Sequence, residues 1–133
     1  MKTVAEAAIA VLTTADAAAK AAISRDMASL WQRGALDHAF PVLPPDRPAR
    51  PARPELKAPR DMAKRRAGGA RASRVALLHA LAHIELNAID LAWDIVARFG
   101  SGLPRAFTDD WVQVGDDEAR HFQLLSGRLA ALD

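Results

Sequence analysis

The fold is decided by Leu78-His79-Ala80-Leu81-Ala82-His83-Ile84-Glu85-Leu86-Asn87-Ala88-Ile89-Asp90-Leu91, read together with Asp117-Glu118-Ala119-Arg120-His121-Phe122. Each stretch is the middle of a long amphipathic pattern, the first over residues 72–99 and the second over 108–131. At about 100° per residue, Leu78, Leu81, Ala82, Ala88, Ile89, Ala92, Val96 and Phe99 fall within about 60° of Glu85. Asn87, Asp90, Asp94, Arg98, His79 and His83 point elsewhere. The second pattern gathers Trp111, Val114, Gly115, Phe122, Leu125, Leu129 and Leu132 around Glu118, and His121 shares that face three residues on. Each helix is therefore expected to carry an acid on the centre line of its buried side. A carboxylate there is costly unless it is paired, protonated or bound to a metal.

A lone buried Glu is usually half of a salt bridge, and a lone E-x-x-H arises often by chance. The conjunction points further. No Lys or Arg shares the middle of either stripe; Arg74 and Arg128 lie about three turns away. Glu85, Glu118 and His121 are thus the candidate metal ligands. Two carboxylates with one imidazole suit iron or manganese better than calcium or a thiolate-type zinc site. Glu85 lies about fourteen residues before the end of its helix and Glu118 about ten after the start of the next. A short turn over 101–107, with Gly102 and Pro104, makes the helices antiparallel neighbours, so these depths match and the two acids can meet. Thr108 is expected to cap the second helix, with Asp109 and Asp110 favourable at its positive end.

The two quoted stretches, with Asp110-Trp111-Val112-Gln113-Val114 and the Pro/Arg segment before them, resemble a bacterial family of ferritin-like proteins of unknown function. The resemblance runs over essentially the whole chain. It implies a ferritin-like helical bundle of the di-iron carboxylate type, with Glu85, Glu118 and His121 as half of the ligand set. It also implies a protein about twice this length, whose second half carries another Glu helix and another E-x-x-H helix. This chain then corresponds to the N-terminal half.

The remaining sequence is consistent with an all-α protein. Half of the 133 residues are hydrophobic, only 5% are aromatic, and there is no tyrosine. The absence of cysteine excludes disulfides, iron–sulfur clusters, thiolate zinc sites and cysteine nucleophiles. The N-terminus lacks a signal-peptide layout, and no stretch reads as apolar enough to span a bilayer, so a cytoplasmic protein is expected. Residues 2–13 read as a short helix. A second, capped by Thr14 with Asp16 in its first turn, runs to about Arg33, with Gly34 as C-cap and Ile23, Met27, Leu30 and Trp31 as its apolar stripe. A membrane-surface role for this hairpin is disfavoured by acids on its polar faces.

Three segments are expected: an N-terminal helical hairpin (1–39), a Pro/Arg-rich extended arm (40–71) and the metal-site hairpin (72–133). Seven of the eight prolines lie between Pro41 and Pro59, and R-P-A repeats from Arg47 to Pro54. Such a stretch favours polyproline II chain over helix. Residues 46–74 carry a net charge of +7 and the rest of the chain −5. A basic arm can bind nucleic acid. Without interleaved aromatics for base stacking, an arm packed on the acidic helices, with Arg stems as cover, is the preferred reading. His79 and His83 stand one turn apart, as a zinc pair would, but point away from Glu85. His83 and Asp90 are expected to meet the N-terminal hairpin or a partner, and His38 has no evident partner.

The leading functional expectation is a carboxylate-bridged di-iron protein, with manganese as the alternative metal and O₂-dependent oxidation or hydroxylation of an unidentified substrate as the chemistry. The competing expectation is a non-enzymatic helical interaction module, or a truncated half-bundle, in which the three residues form only a buried polar cluster. Either way the open stripes call for a partner: a second copy in a homodimer, or the C-terminal half-bundle.

Overall fold

The computed structural model describes residues 1–52 and 71–132. It is all-α: α1 (Val4–Leu12), α2 (Ala17–Gln32), α3 (Arg71–Phe99) and α4 (Arg105–Leu132) form a four-helix bundle. α3 and α4 are the long antiparallel pair, joined by a turn in which Gly102 takes φ +81°. α1 packs on α3 and α2 packs on α4, so the short hairpin lies across one side of the long one. A single apolar core runs from Val4, Val11 and Leu12 through Trp31 to Leu86, Ile89, Trp93, Val96, Val112, Ala119 and Phe122.

Local chemistry sets the helix ends. Thr3 caps α1 in a reciprocal box with Glu6, a T-x-x-E signal visible in the sequence but not used there. α2 is capped by Asp16, whose side chain accepts from the Ala19 N–H, rather than by Thr14. Thr14 instead donates its hydroxyl back to the Ala10 carbonyl at 2.7 Å. Gly34, just past the last turn of α2, has φ +76°, as the expected stop requires. α4 starts three residues before the expected Thr108, directly after Pro104, whose missing N–H costs nothing at a helix start. Thr108 is therefore not a cap. It is fully buried, 3.1 Å from Nε2 of His38, which packs edge-on against Phe40 and tilted against Trp31. His38 thus has the partner that the sequence did not show.

The buried side of α2 is rotated from the expected one. Lys20, Ala21, Ser24, Ala28 and Trp31 are buried, whereas Ile23, Met27 and Leu30 are only partly covered. The reason is polar: Ser24 donates to the Gly115 carbonyl (2.8 Å) and accepts from the Trp93 indole N–H (2.7 Å), fastening α2 to both long helices. Lys20 and Asp90 form the second fastening. Both are buried, with Lys20 Nζ 2.5 Å from Asp90 Oδ1 and 2.7 Å from the Ala49 carbonyl. Burial pushes the Lys20 ammonium down and the Asp90 carboxyl up from their ordinary values, each opposed by the other's charge. Asp90 thus meets the N-terminal hairpin, as expected.

Residues 40–52 form neither helix nor strand and run against the bundle. Ala49 N–H donates to the Leu12 carbonyl at 2.7 Å, and Arg98 donates to the Pro45 carbonyl. Arg50 donates to Asn87 and lies 3.2 Å from Asp90 Oδ2. Residues 45–50 therefore strap across the bundle, held at Ala49 by α1 and α2 and at Pro45 and Arg50 by α3. The remaining arm expectation, over 53–70, lies outside the described residues.

α3 corrects one further expectation: by length and composition it is apolar enough to cross a membrane. Its core face explains part of that content, with Ala82, Leu86, Ile89, Ala92, Trp93, Val96 and Ala97 buried against the other helices. Leu77, Ile84, Leu91 and Phe99 are exposed.

Candidate metal centre

Glu85 projects from the middle of α3, and Glu118 and His121 from one turn of α4. The antiparallel hairpin sets them at the same level. One donor atom from each lies within 4.8 Å of the others, so the three residues singled out in the sequence are brought together. His121 Nδ1 stands 3.7 Å from Glu85 Oε2 and 3.6 Å from Glu118 Oε2. Those separations are too long for direct hydrogen bonds. Two donors each about 2.1 Å from a shared ion stand roughly 3.0–3.4 Å apart, so a small contraction would close the three onto one cation.

The side-chain exposures are graded: Glu85 20%, Glu118 25% and His121 42%. Glu85 is thus at the edge of the buried face of α3 rather than on its centre line, which passes through Leu86, Ile89 and Trp93. Its Oε2 is nevertheless buried without a hydrogen-bond partner. An anionic oxygen left so costs stability unless a cation meets it. The donor set and the orphaned oxygen fit a metal ion. Three ligands do not complete its coordination, and among the described residues this is the one group of three or more acids and histidines close enough to hold an ion.

His79 and His83 take no part. They lie one turn apart on α3, His79 exposed and His83 half-buried. The buried Lys20–Asp90 pair and Arg50 also lie outside the cluster. Lys20 went unrecognised because its charge hides the 3–4 spacing of Lys20, Ser24, Ala28 and Trp31.

Fold and cluster together define an all-helical protein with a three-residue acid–histidine cluster open on one side. The chain belongs to the family described as "Protein of unknown function (DUF455)", which matches residues 13–133. It is 41% identical over 101 residues to an uncharacterized protein of Haemophilus influenzae, an alignment covering 70% of this chain and 35% of that relative. The chain thus spans about a third of the length of the curated relative it matches. No solved structure matches it.

Proposed function

We propose that this chain works as a helical half-bundle: an interaction module whose open α3–α4 face presents a partial metal site. Glu85, Glu118 and His121 would hold the ion, and the remaining ligands come from polypeptide outside the described residues. The observation that carries this reading is the orphaned, buried Oε2 of Glu85, 3.7 Å from the His121 imidazole. On this reading the carboxylates supply negative charge from two helices at once. His121 supplies the nitrogen that shifts preference away from calcium and toward iron, while the carboxylates keep manganese acceptable.

A second reading goes further and is supported by the same donor chemistry together with the ferritin-like resemblance. It makes the completed site a carboxylate-bridged di-iron centre of an oxidoreductase or hydroxylase. Such a group, when bound, supplies O₂-dependent oxidation. The contribution of this chain would be to hold and orient the metal through Glu85, Glu118 and His121.

Metal analysis of protein purified from iron-supplemented cells tests both. Bound iron or manganese is expected, cut sharply by Glu85→Ala, Glu118→Ala or His121→Ala and kept in His79→Ala. Only trace metal in the unsubstituted chain, or loss in His79→Ala with retention in Glu85→Ala, would sink the assignment.

A further inference from the structure

His79 and His83 are the histidines that the acid–histidine cluster leaves unused. They stand one turn apart on α3, about 40° from each other round the axis, which sets their Cβ atoms about 5–6 Å apart. At about 120° and 160° from Glu85, they lie on the flank that carries Asn87, Asp90, Asp94 and Arg98, away from the cluster. The other polar side chains of that flank are engaged: Asn87 by Arg50, Asp90 by Lys20, and Asp94 by Arg98, which also reaches the Pro45 carbonyl. The other two histidines are engaged as well, His38 by Thr108 and His121 by the two carboxylates. Among the described residues, His79 and His83 have no hydrogen bond, ion pair or ring contact. Their ring nitrogens are free to act as ligands, His79 exposed and His83 half-buried.

We propose that His79 and His83 form a second metal site, a bidentate imidazole pair for a late first-row divalent ion such as Zn(II) or Cu(II). Two histidines at i, i+4 on a helix present two nitrogens to one ion. No acid joins them: among the described residues, the group of three or more acids and histidines that could hold an ion is the one around Glu85. A nitrogen-only pair suits zinc and copper, whereas manganese, magnesium and calcium require oxygen ligands. The donor set thus differs from that of the cluster, where two carboxylates accompany one imidazole. Ala80 stands where an H-E-x-x-H helix carries its general base, so the pair binds an ion without hydrolytic machinery.

Both nitrogens reach one ion only when the turn between them is helical. Binding therefore stabilises that turn by mass action. Ala82 is the first buried residue of α3, so the ion clamps the stretch that the core holds least.

Calorimetric titration of the metal-free chain with Zn(II) and Cu(II) tests this. A one-to-one site is expected that prefers Cu(II) to Zn(II). His79→Ala or His83→Ala should each weaken it by about a hundredfold, because the second imidazole no longer binds within the same molecule. The same site should survive in Glu85→Ala. Pulsed electron paramagnetic resonance of the Cu(II) form should count two coordinated imidazoles, and one in either His→Ala variant. His83→Ala/Ala80→His protein keeps two histidines at adjacent positions that do not face each other, so it should not regain the affinity. Amide exchange at His83 should slow when Zn(II) is added. Affinity unchanged in both His→Ala variants, affinity regained by His83→Ala/Ala80→His, or a single imidazole on Cu(II) would each overturn the proposal. A site lost in Glu85→Ala would place the ion at the cluster and overturn it too. The two metal readings fail separately: iron or manganese binding that fails at the cluster leaves the histidine pair standing.

Discussion

His121 of α4 reaches across the hairpin to Glu85 of α3, its Nδ1 3.7 Å from an Oε2 that is buried and accepts no hydrogen bond. The imidazole is near enough to share a cation with that oxygen and too far to satisfy it alone. The metal-free chain therefore carries a local instability at the centre of its open face.

Replacing Glu85 should expose that instability. Glu85→Leu removes an unsatisfied buried oxygen, so the metal-free protein should gain on the order of 1–3 kcal/mol. Thermal melts in chelator would show it as a raised Tm. Added Fe(II) or Mn(II) should raise the Tm of the unsubstituted chain and leave the variant unmoved, because an ion that binds only the folded state stabilises it by mass action. A lower Tm for Glu85→Leu in chelator would show that the carboxylate is satisfied after all.

The Lys20–Asp90 pair behaves in the opposite way. Both groups are buried, where desolvation disfavours the charged form of each and the partner's charge opposes that shift. Asp90→Ala strands a buried ammonium and should cost about 3–5 kcal/mol, whereas Lys20→Met combined with Asp90→Leu should cost much less, since a buried pair replaced by apolar groups is often neutral. Arg50 lies 3.2 Å from Asp90 Oδ2, so Asp90→Ala should also loosen the strap and speed proteolysis near Arg47–Arg50. Denaturant unfolding of the single and double variants, with timed proteolysis, checks both. A double variant as unstable as Asp90→Ala would argue against the pair as the source of the loss.

How much of this was legible in the sequence depends on which letters carried the signal. The antiparallel α3–α4 hairpin and the meeting of Glu85, Glu118 and His121 followed from helical period and loop length, both of which are local. The contact face of α2 did not follow. Its buried stripe is spelled with Lys20 and Ser24, whose polar atoms are satisfied by Asp90, Ala49, Gly115 and Trp93 far along the chain. The rotation of Glu85 off the centre line has a similar origin. α3 has two apolar faces, and the arc centred on Glu85 takes in Leu81 and Ala88, which are only partly covered, together with Ile89 and Val96, which are buried. Thr108 looked like a cap because a polar residue preceded two acids, but Pro104 starts the helix one turn earlier.

Gly115 offers a sharper test of packing. A Cβ there would stand 2.7 Å from Nε1 and 3.1 Å from Cε2 of Trp93, a fully buried ring held by Ser24. Alanine favours a helix over glycine by about 1 kcal/mol, so with free space Gly115→Ala would stabilise α4. Here the ring cannot retreat without breaking its hydrogen bond, and overpacking costs about 1–3 kcal/mol. A net loss of stability is expected, together with a shift in Trp93 fluorescence. A gain in Tm would mean that the indole has room to move.

The N-terminus of α1 carries a pH dependence whose sign is fixed by its geometry. Glu6 Oε1 accepts from the Lys2 and Thr3 backbone N–H groups at 3.2 and 3.0 Å and from the Thr3 hydroxyl at 3.0 Å. These bonds favour the anion and hold the Glu6 carboxyl below its ordinary value of 4.5, the Lys2 N–H contributing most. A carboxylate depressed in the folded state binds fewer protons than in the unfolded chain. Its contribution is therefore fully present above about pH 4.5, the ordinary value, and is lost as pH falls through the depressed one. Amide exchange at Thr3 and Val4 should accelerate over that acid window beyond the intrinsic trend. Glu6→Gln keeps an accepting oxygen but cannot titrate, so its exchange should not follow the same step. A Glu6 carboxyl that titrates at or above its ordinary value would mean that the capping box does not form in solution.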